Sequence, residues 1–217
     1  MSAKFSFTDF YQNLLVRLVG IHKGMEEHEL KKVNYIAELK PENDLELALL
    51  NDPEFIEGLD WGLPRYGHPE GEVYRHIAEV LGNIDKIKLD PESRRILRII
   101  AYAHDTFKHT EHKGNPRDWS RHHSVLAAQY LSKYTDNKII LDITELHDEA
   151  YYSWRMEYLY HQYDEGQARL KKLLQRIGDN IQLYYLFFKC DTRTGDKTQA
   201  PVKWFEQTIR NIEIVEF

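Results

Sequence analysis

An all-α fold is predicted for this 217-residue chain by three observations. Apolar residues recur at helical spacing nearly throughout. Start and stop signals punctuate them: Asp90-Pro91 is an N-cap followed by Pro at the first helical position, and Gly178-Asp179 ends one helix and caps the next. Alternating strand patterns bounded by hairpin turns are absent, and only Ile212-Glu213-Ile214-Val215 could extend, briefly.

Taken in order, the pattern predicts helices at about 6–21, 25–40, 43–51, 71–87, 91–105, 119–134, 138–150, 150–160, 164–177, 179–191 and 201–213. Two stretches resist helix. Residues 52–70 hold Pro53, Pro64 and Pro69 with Gly58, Gly62 and Gly67, yet also Phe55, Leu59, Trp61 and Tyr66, and so read as a packed connector. Residues 106–118 read as a basic loop with a turn at Gly114-Asn115-Pro116. The whole chain, 1–217, is expected to be one domain, with 1–60 as an N-terminal helical layer on a core formed by 61–217.

Composition narrows the function. Hydrophobic residues make up 42% and charged ones 29%, which fits a globular protein. A net charge of −6 counts against general polyanion binding, so nucleic acid is not the expected partner. The longest aromatic-aliphatic run, Leu183 to Phe188, is far too short to span a membrane, and Gln12, Asn13 and Arg17 interrupt the apolar stretch from Phe10 to Ile21. Cys190 is the single cysteine, so no internal disulfide or thiolate cluster forms. A cytoplasmic location is expected.

The chemistry lies in polar groups on apolar helix faces. His76 has Val73 and Val80 at i−3 and i+4, and His104 follows Leu97 and Ile100. His123 leads Ala127 and Tyr130, His147 trails Ile140 and Ile143, and Asp191 trails Tyr184 and Phe187. Burying such groups unpaired costs several kcal/mol, roughly 2–7 for a polar group and more for a charge. His-Asp pairs occur twice, at 104–105 and 147–148, and the dipeptide alone proves nothing; its position does the arguing. One metal ion would offset the cost for several groups together. His76, His104, Asp105 and Asp191 make an N2O2 set that suits Mn, Fe, Co or Ni, and Zn less exclusively. A divalent ion there would supply hydroxide near neutral pH and polarise a phosphoryl oxygen. His123 and His147 either complete a second metal site, with Asp105 bridging, or orient ligands and contact substrate.

Charges near these positions are candidate phosphate contacts. Lys108, three residues after Asp105, is placed to balance substrate charge and act with Asp105 in catalysis. His109, Arg121, His122 and Arg193 are expected to bind substrate, and Lys197 flanks Asp191 in the same way. His109 and His112 are also candidates for the leaving-group acid. Tyr151, Tyr152 and Trp154 either stack a base or pack in the core. No Ser/His/Asp order, Gly-rich phosphate loop or Cys nucleophile competes.

The motifs resemble the HD superfamily of metal-dependent phosphohydrolases, in a small stand-alone bacterial form. Glu70-Gly71-Glu72-Val73-Tyr74-Arg75-His76-Ile77 resembles its first motif, and Ala101-Tyr102-Ala103-His104-Asp105-Thr106-Phe107-Lys108 its second, trailing lysine included. Asp191 matches its last aspartate, and His123 and His147 resemble the extra histidines of dinuclear members. The likeness runs from about Tyr66 to Gly195. It implies a helical bundle around one or two divalent ions, hydrolysing a phosphomonoester or phosphodiester in a small nucleotide-like substrate. No Gly-Tyr-Pro signature follows His147, and no nucleotidyltransferase or synthetase domain is attached. A catalytically silent, metal-stabilised regulatory protein and a single-strand nuclease are the competing readings.

Overall fold

The computed structural model describes residues 33–217, and every described regular element is helical. The expected helix at 6–21 and most of that at 25–40 lie outside these residues, as does most of the expected N-terminal layer. Residues Tyr35–Phe217 form one unit, so the short helices before residue 60 belong to the same body as the ligand-bearing ones.

Three short helices come first: α1 (Tyr35–Leu39), α2 (Asp44–Leu49) and α3 (Pro53–Leu59). In α2 the Asn43 cap accepts from Glu46 N at 3.0 Å, and the Glu46 carboxylate returns to Glu42 N at 2.8 Å, so two orphan donors are met reciprocally. The same carboxylate, fully buried, then receives Arg98 from another helix at 2.8 Å.

Helix α3 corrects the reading of 52–70 as a connector without helix. Asp52 caps it, accepting from Glu54 N at 2.8 Å, and Pro53 occupies the first turn. This is the same signal that marks Asp90-Pro91. Gly58 obscures it, and the structure shows why glycine is there. A Cβ at Gly58 would lie 1.9 Å from the carbonyl oxygen of Thr106, so only glycine lets α3 lie against the turn that follows Asp105.

Next come α4 (Val73–Ile84) and α5 (Pro91–Ala103). Helix α4 buries Val73, Ile77, Val80, Leu81 and Ile84 along one stripe, with His76 in the same stripe. Asp90 starts α5 by accepting from Glu92 N and Ser93 N, both at 3.0 Å. The expected helix at 91–105 ends two residues early, with His104 as its C-cap. A short 3-10 turn, Thr106–His109, follows within the predicted loop.

The helix expected at 119–134 divides. Trp119–Arg121 is a 3-10 turn, His122 caps, and α6 (His123–Leu131) begins only there. Helices α7 (Lys138–Leu146) and α8 (Glu149–Tyr158) break at His147-Asp148, slightly before the boundary expected at 150. Helix α9 (Tyr163–Ile177) ends at Gly178, whose φ of 55° turns the chain. Then come a 3-10 turn (Gly178–Asn180), α10 (Ile181–Thr192) and α11 (Ala200–Thr208), which is shorter than expected.

Helices α5 and α10 form the centre, and α5 also packs on α4 and α7. Leu97, Ile99, Ile100 and Tyr102 of α5 and Tyr184, Phe187 and Cys190 of α10 are all fully buried. The 212–215 stretch does not pair as a strand. Glu213 N donates to Gln182 Oε1 at 2.8 Å and Val215 N to Tyr185 Oη at 3.3 Å, fastening the tail along α10.

Candidate metal centre

Four helix ends and one helix middle converge on a point. His104 and His147 terminate α5 and α7, His123 opens α6, Asp191 lies in the last turn of α10, and His76 sits within α4. Asp105 follows His104 directly. Helix termini suit this work because the chain there changes direction, so consecutive side chains can point into one space. All four histidines and Asp105 are buried, at 3% exposure or less.

The two Asp105 oxygens face different histidine pairs. Oδ2 lies 3.6 Å from both His76 Nε2 and His104 Nε2. Oδ1 lies 3.3 Å from His123 Nε2 and 3.6 Å from His147 Nε2. Asp191 Oδ1 joins the first pair, 2.9 Å from His76 Nε2 and 3.9 Å from His104 Nε2.

The imidazoles are turned for ligation. His104 Nδ1 faces Ala101 O at 3.0 Å and His147 Nδ1 faces Thr144 O at 2.9 Å. A ring nitrogen against a carbonyl must carry the proton, so in the neutral ring Nε2 is a bare lone pair aimed at the centre. His76 Nδ1 lies 3.2 Å from Glu70 Oε1, and His123 Nδ1 lies 3.4 Å from Glu111 Oε1. Carboxylates and carbonyls behind ligating histidines fix ring orientation and raise basicity.

This donor set fits a cation. His76 Nε2 and His104 Nε2 approach to 3.2 Å beside a carboxylate oxygen, so something positive must lie among them: a proton, or an ion of greater charge. His123 is buried with no hydrogen-bond partner at either nitrogen. Buried polar atoms without partners point to an ion or water. Nitrogen and carboxylate donors together suit a divalent transition metal.

The charges are consistent with that. Burial pushes the His104 imidazole down to about 3, keeping it neutral. Burial alone would raise Asp105 and Asp191, but Lys108 beside the first and Lys197 beside the second, with the imidazoles, hold both carboxyls well below the usual range. Lys108 Nζ pairs with Asp105 Oδ2, and Lys197 Nζ lies 2.9 Å from Asp191 Oδ1.

A cavity of about 270 Å³ opens on the cluster. Asp105, His147, Asp148 and Asp191 lie at its floor, Lys108 and Lys197 beside them, and Tyr66, His68 and Tyr151 also line it. Four expected substrate contacts are not brought there. His109 turns back to Thr106 O at 3.0 Å and stacks on Phe107. Arg121 is exposed away from the cavity. His122 is bonded to Tyr152 Oη at 3.0 Å and to Ser124. Arg193 lies over the Phe217 ring. His109, His122 and Arg193 find nearer partners, and Arg121 is turned to solvent. Glu70, Glu111, His68 and Asp148 went unnoticed as site groups, since three lie in irregular segments with no periodicity to betray a facing direction.

Residues 73–178 match the family model described as HD domain. The chain carries an HD domain. His76, His104, Asp105, His123 and His147 fall inside the matched span, and Asp191 lies beyond its end. The HD superfamily is one of metal-dependent phosphohydrolases, and the described residues contain His/Asp groups able to hold a metal ion. No curated protein and no solved structure matches the chain.

Proposed function

We propose that the HD domain hydrolyses a phosphomonoester or phosphodiester bond in a small nucleotide-like substrate. One divalent transition metal is held by His76, His104, Asp105 and Asp191, and a second by His123 and His147 with Asp105 shared. The observation that carries this reading is the Asp105 carboxylate, with one oxygen turned to each histidine pair. When bound, divalent ions polarise the phosphoryl oxygens and acidify water.

The chain's own groups do the rest. Lys108 and Lys197 bring two ammonium groups to the cavity, where they offset phosphate charge. Tyr66 and Tyr151 offer aromatic faces for a base or sugar. A cavity of about 270 Å³ encloses a phosphate and part of its carrier, so the remainder of a nucleotide would lie toward exposed Tyr66. Buried Asp105 keeps its charge at any working pH because its carboxyl is held low.

The test is turnover on a panel of phosphorylated metabolites by wild type and Asp105→Ala. Wild type is expected to release phosphate from at least one compound, whereas Asp105→Ala releases none and carries less metal. Wild-type turnover by a folded Asp105→Ala protein contradicts the reading.

A further inference from the structure

We infer that Asp148 is a ligand of the second ion, making His123, His147, Asp105 and Asp148 an N2O2 site for a divalent transition metal that mirrors the first. This rests on the two-ion reading above.

The geometry comes from the α7–α8 junction. His147 closes α7 and Asp148 stands at the N-cap position of α8, so adjacent side chains enter one space. Aspartate at an N-cap normally accepts from the helix's first amides. The Asp148 side chain makes no such bond. Its Oδ2 instead lies 3.4 Å from His123 Nε2 and 3.7 Å from His147 Nε2. Asp105 Oδ1 lies 3.3 and 3.6 Å from the same two nitrogens, so two carboxylates approach one histidine pair, as Asp105 and Asp191 approach the other. Atoms bound about 2.1 Å from one ion lie roughly 3.0–3.4 Å apart, so each of these carboxylate–imidazole separations needs only a small shift to close on it.

The charge balance points the same way. The ion-pair partners of Asp148 are three imidazoles, His122, His123 and His147, and no Lys or Arg among the described residues. His122 has both nitrogens occupied, by Ser124 and Tyr152. His123 is the opposite case: its side chain is 4% exposed and neither nitrogen has a hydrogen-bond partner. A carboxylate with no Lys or Arg at ion-pair distance thus faces a buried imidazole whose nitrogens have carboxylate neighbours but no hydrogen bond. A cation between them satisfies both.

Titrating the metal-free full-length protein with Mn²⁺, followed by electron paramagnetic resonance, tests this. Wild type is expected to take two equivalents and give the spectrum of a coupled pair. Asp148→Ala should bind the first ion as wild type does and the second at least about 10-fold more weakly, losing the coupled signal where wild type is saturated. Asp148→Asn, nearly identical in shape, should weaken the second ion as well. Two equivalents in either variant with unchanged affinity overturns the Asp148 assignment alone. A single equivalent in saturated wild type overturns the two-ion reading and this assignment with it.

Discussion

Asp105 joins the two halves of the cluster, and the residues behind the histidines decide how well it can do so. Glu70 Oε1 stands 3.2 Å from His76 Nδ1 and also receives His68 at 2.9 Å. Burial opposes ionisation of Glu70, but bonds from His76, its own backbone and His68 hold its carboxyl at about 2, so it is charged throughout the working range. Glu70→Gln is therefore expected to weaken the first ion by about 10–100-fold with little change in the second. A metal titration checks this, and an unchanged first affinity would show that Glu70 does not orient His76. The histidines were legible in sequence because each interrupts an apolar stripe. Glu70 and Glu111 precede or sit between helices, where no period reports which way a side chain points.

Among the helices, α2 and α3 carry no ligand, yet both bear on the element that does. Glu46 of α2 is fully buried and receives Arg98 of α5, whose side chain is 4% exposed. Removing one member of a buried ion pair strands the other charge, at a cost of about 3–5 kcal/mol. Glu46→Ala should lower unfolding free energy by that order, read from a denaturant titration; a loss below about 1 kcal/mol would place Arg98 in contact with water. Gly58 of α3 touches the carbonyl of Thr106, the residue after Asp105. Gly58→Ala must push the two apart, costing about 1–3 kcal/mol, and should weaken metal binding through displacement of Asp105. The Gly58 contact was not legible from the chain, since the density of Pro and Gly between 52 and 70 suggested a connector. The Asp52-Pro53 start signal was present but counted for less than it should have. Helix ends erred similarly: α5 and α6 stop and start where His104 and His122 cap them, a use that hydrophobic spacing does not encode.

For the molecule as a whole, the cluster ties stability to pH and to metal. Burial pushes His104 and His122 down to about 3 and His68 to about 4, while the unfolded chain takes up these protons near pH 6.5. The unfolded state thus binds more protons below pH 6.5, and stability falls with acidification. Glu70 and Glu111, both held at about 2, add a further loss below about pH 4.5. His147 acts oppositely: burial is outweighed by Asp148 and Asp105, its imidazole rises to about 9, and its contribution is lost as pH climbs through that value. The metal-free protein should melt highest near neutral pH and lower on either side, and thermal melts across the range check this; a melting temperature still rising below about pH 5 would contradict it. The all-helical architecture and five of the six ligand candidates were readable from periodicity, because a bundle core collects whatever lies on the apolar stripes, while Asp105 was marked only by its place after His104. Among the described residues no helix is long and apolar enough to cross a membrane. The most direct test of the central claim is the metal content of the wild-type protein, purified without chelators and then exposed to Mn, Fe, Co, Ni or Zn. At least one tightly held equivalent per chain is expected, falling in Asp105→Ala; a folded wild-type chain that retains none of these metals would contradict it.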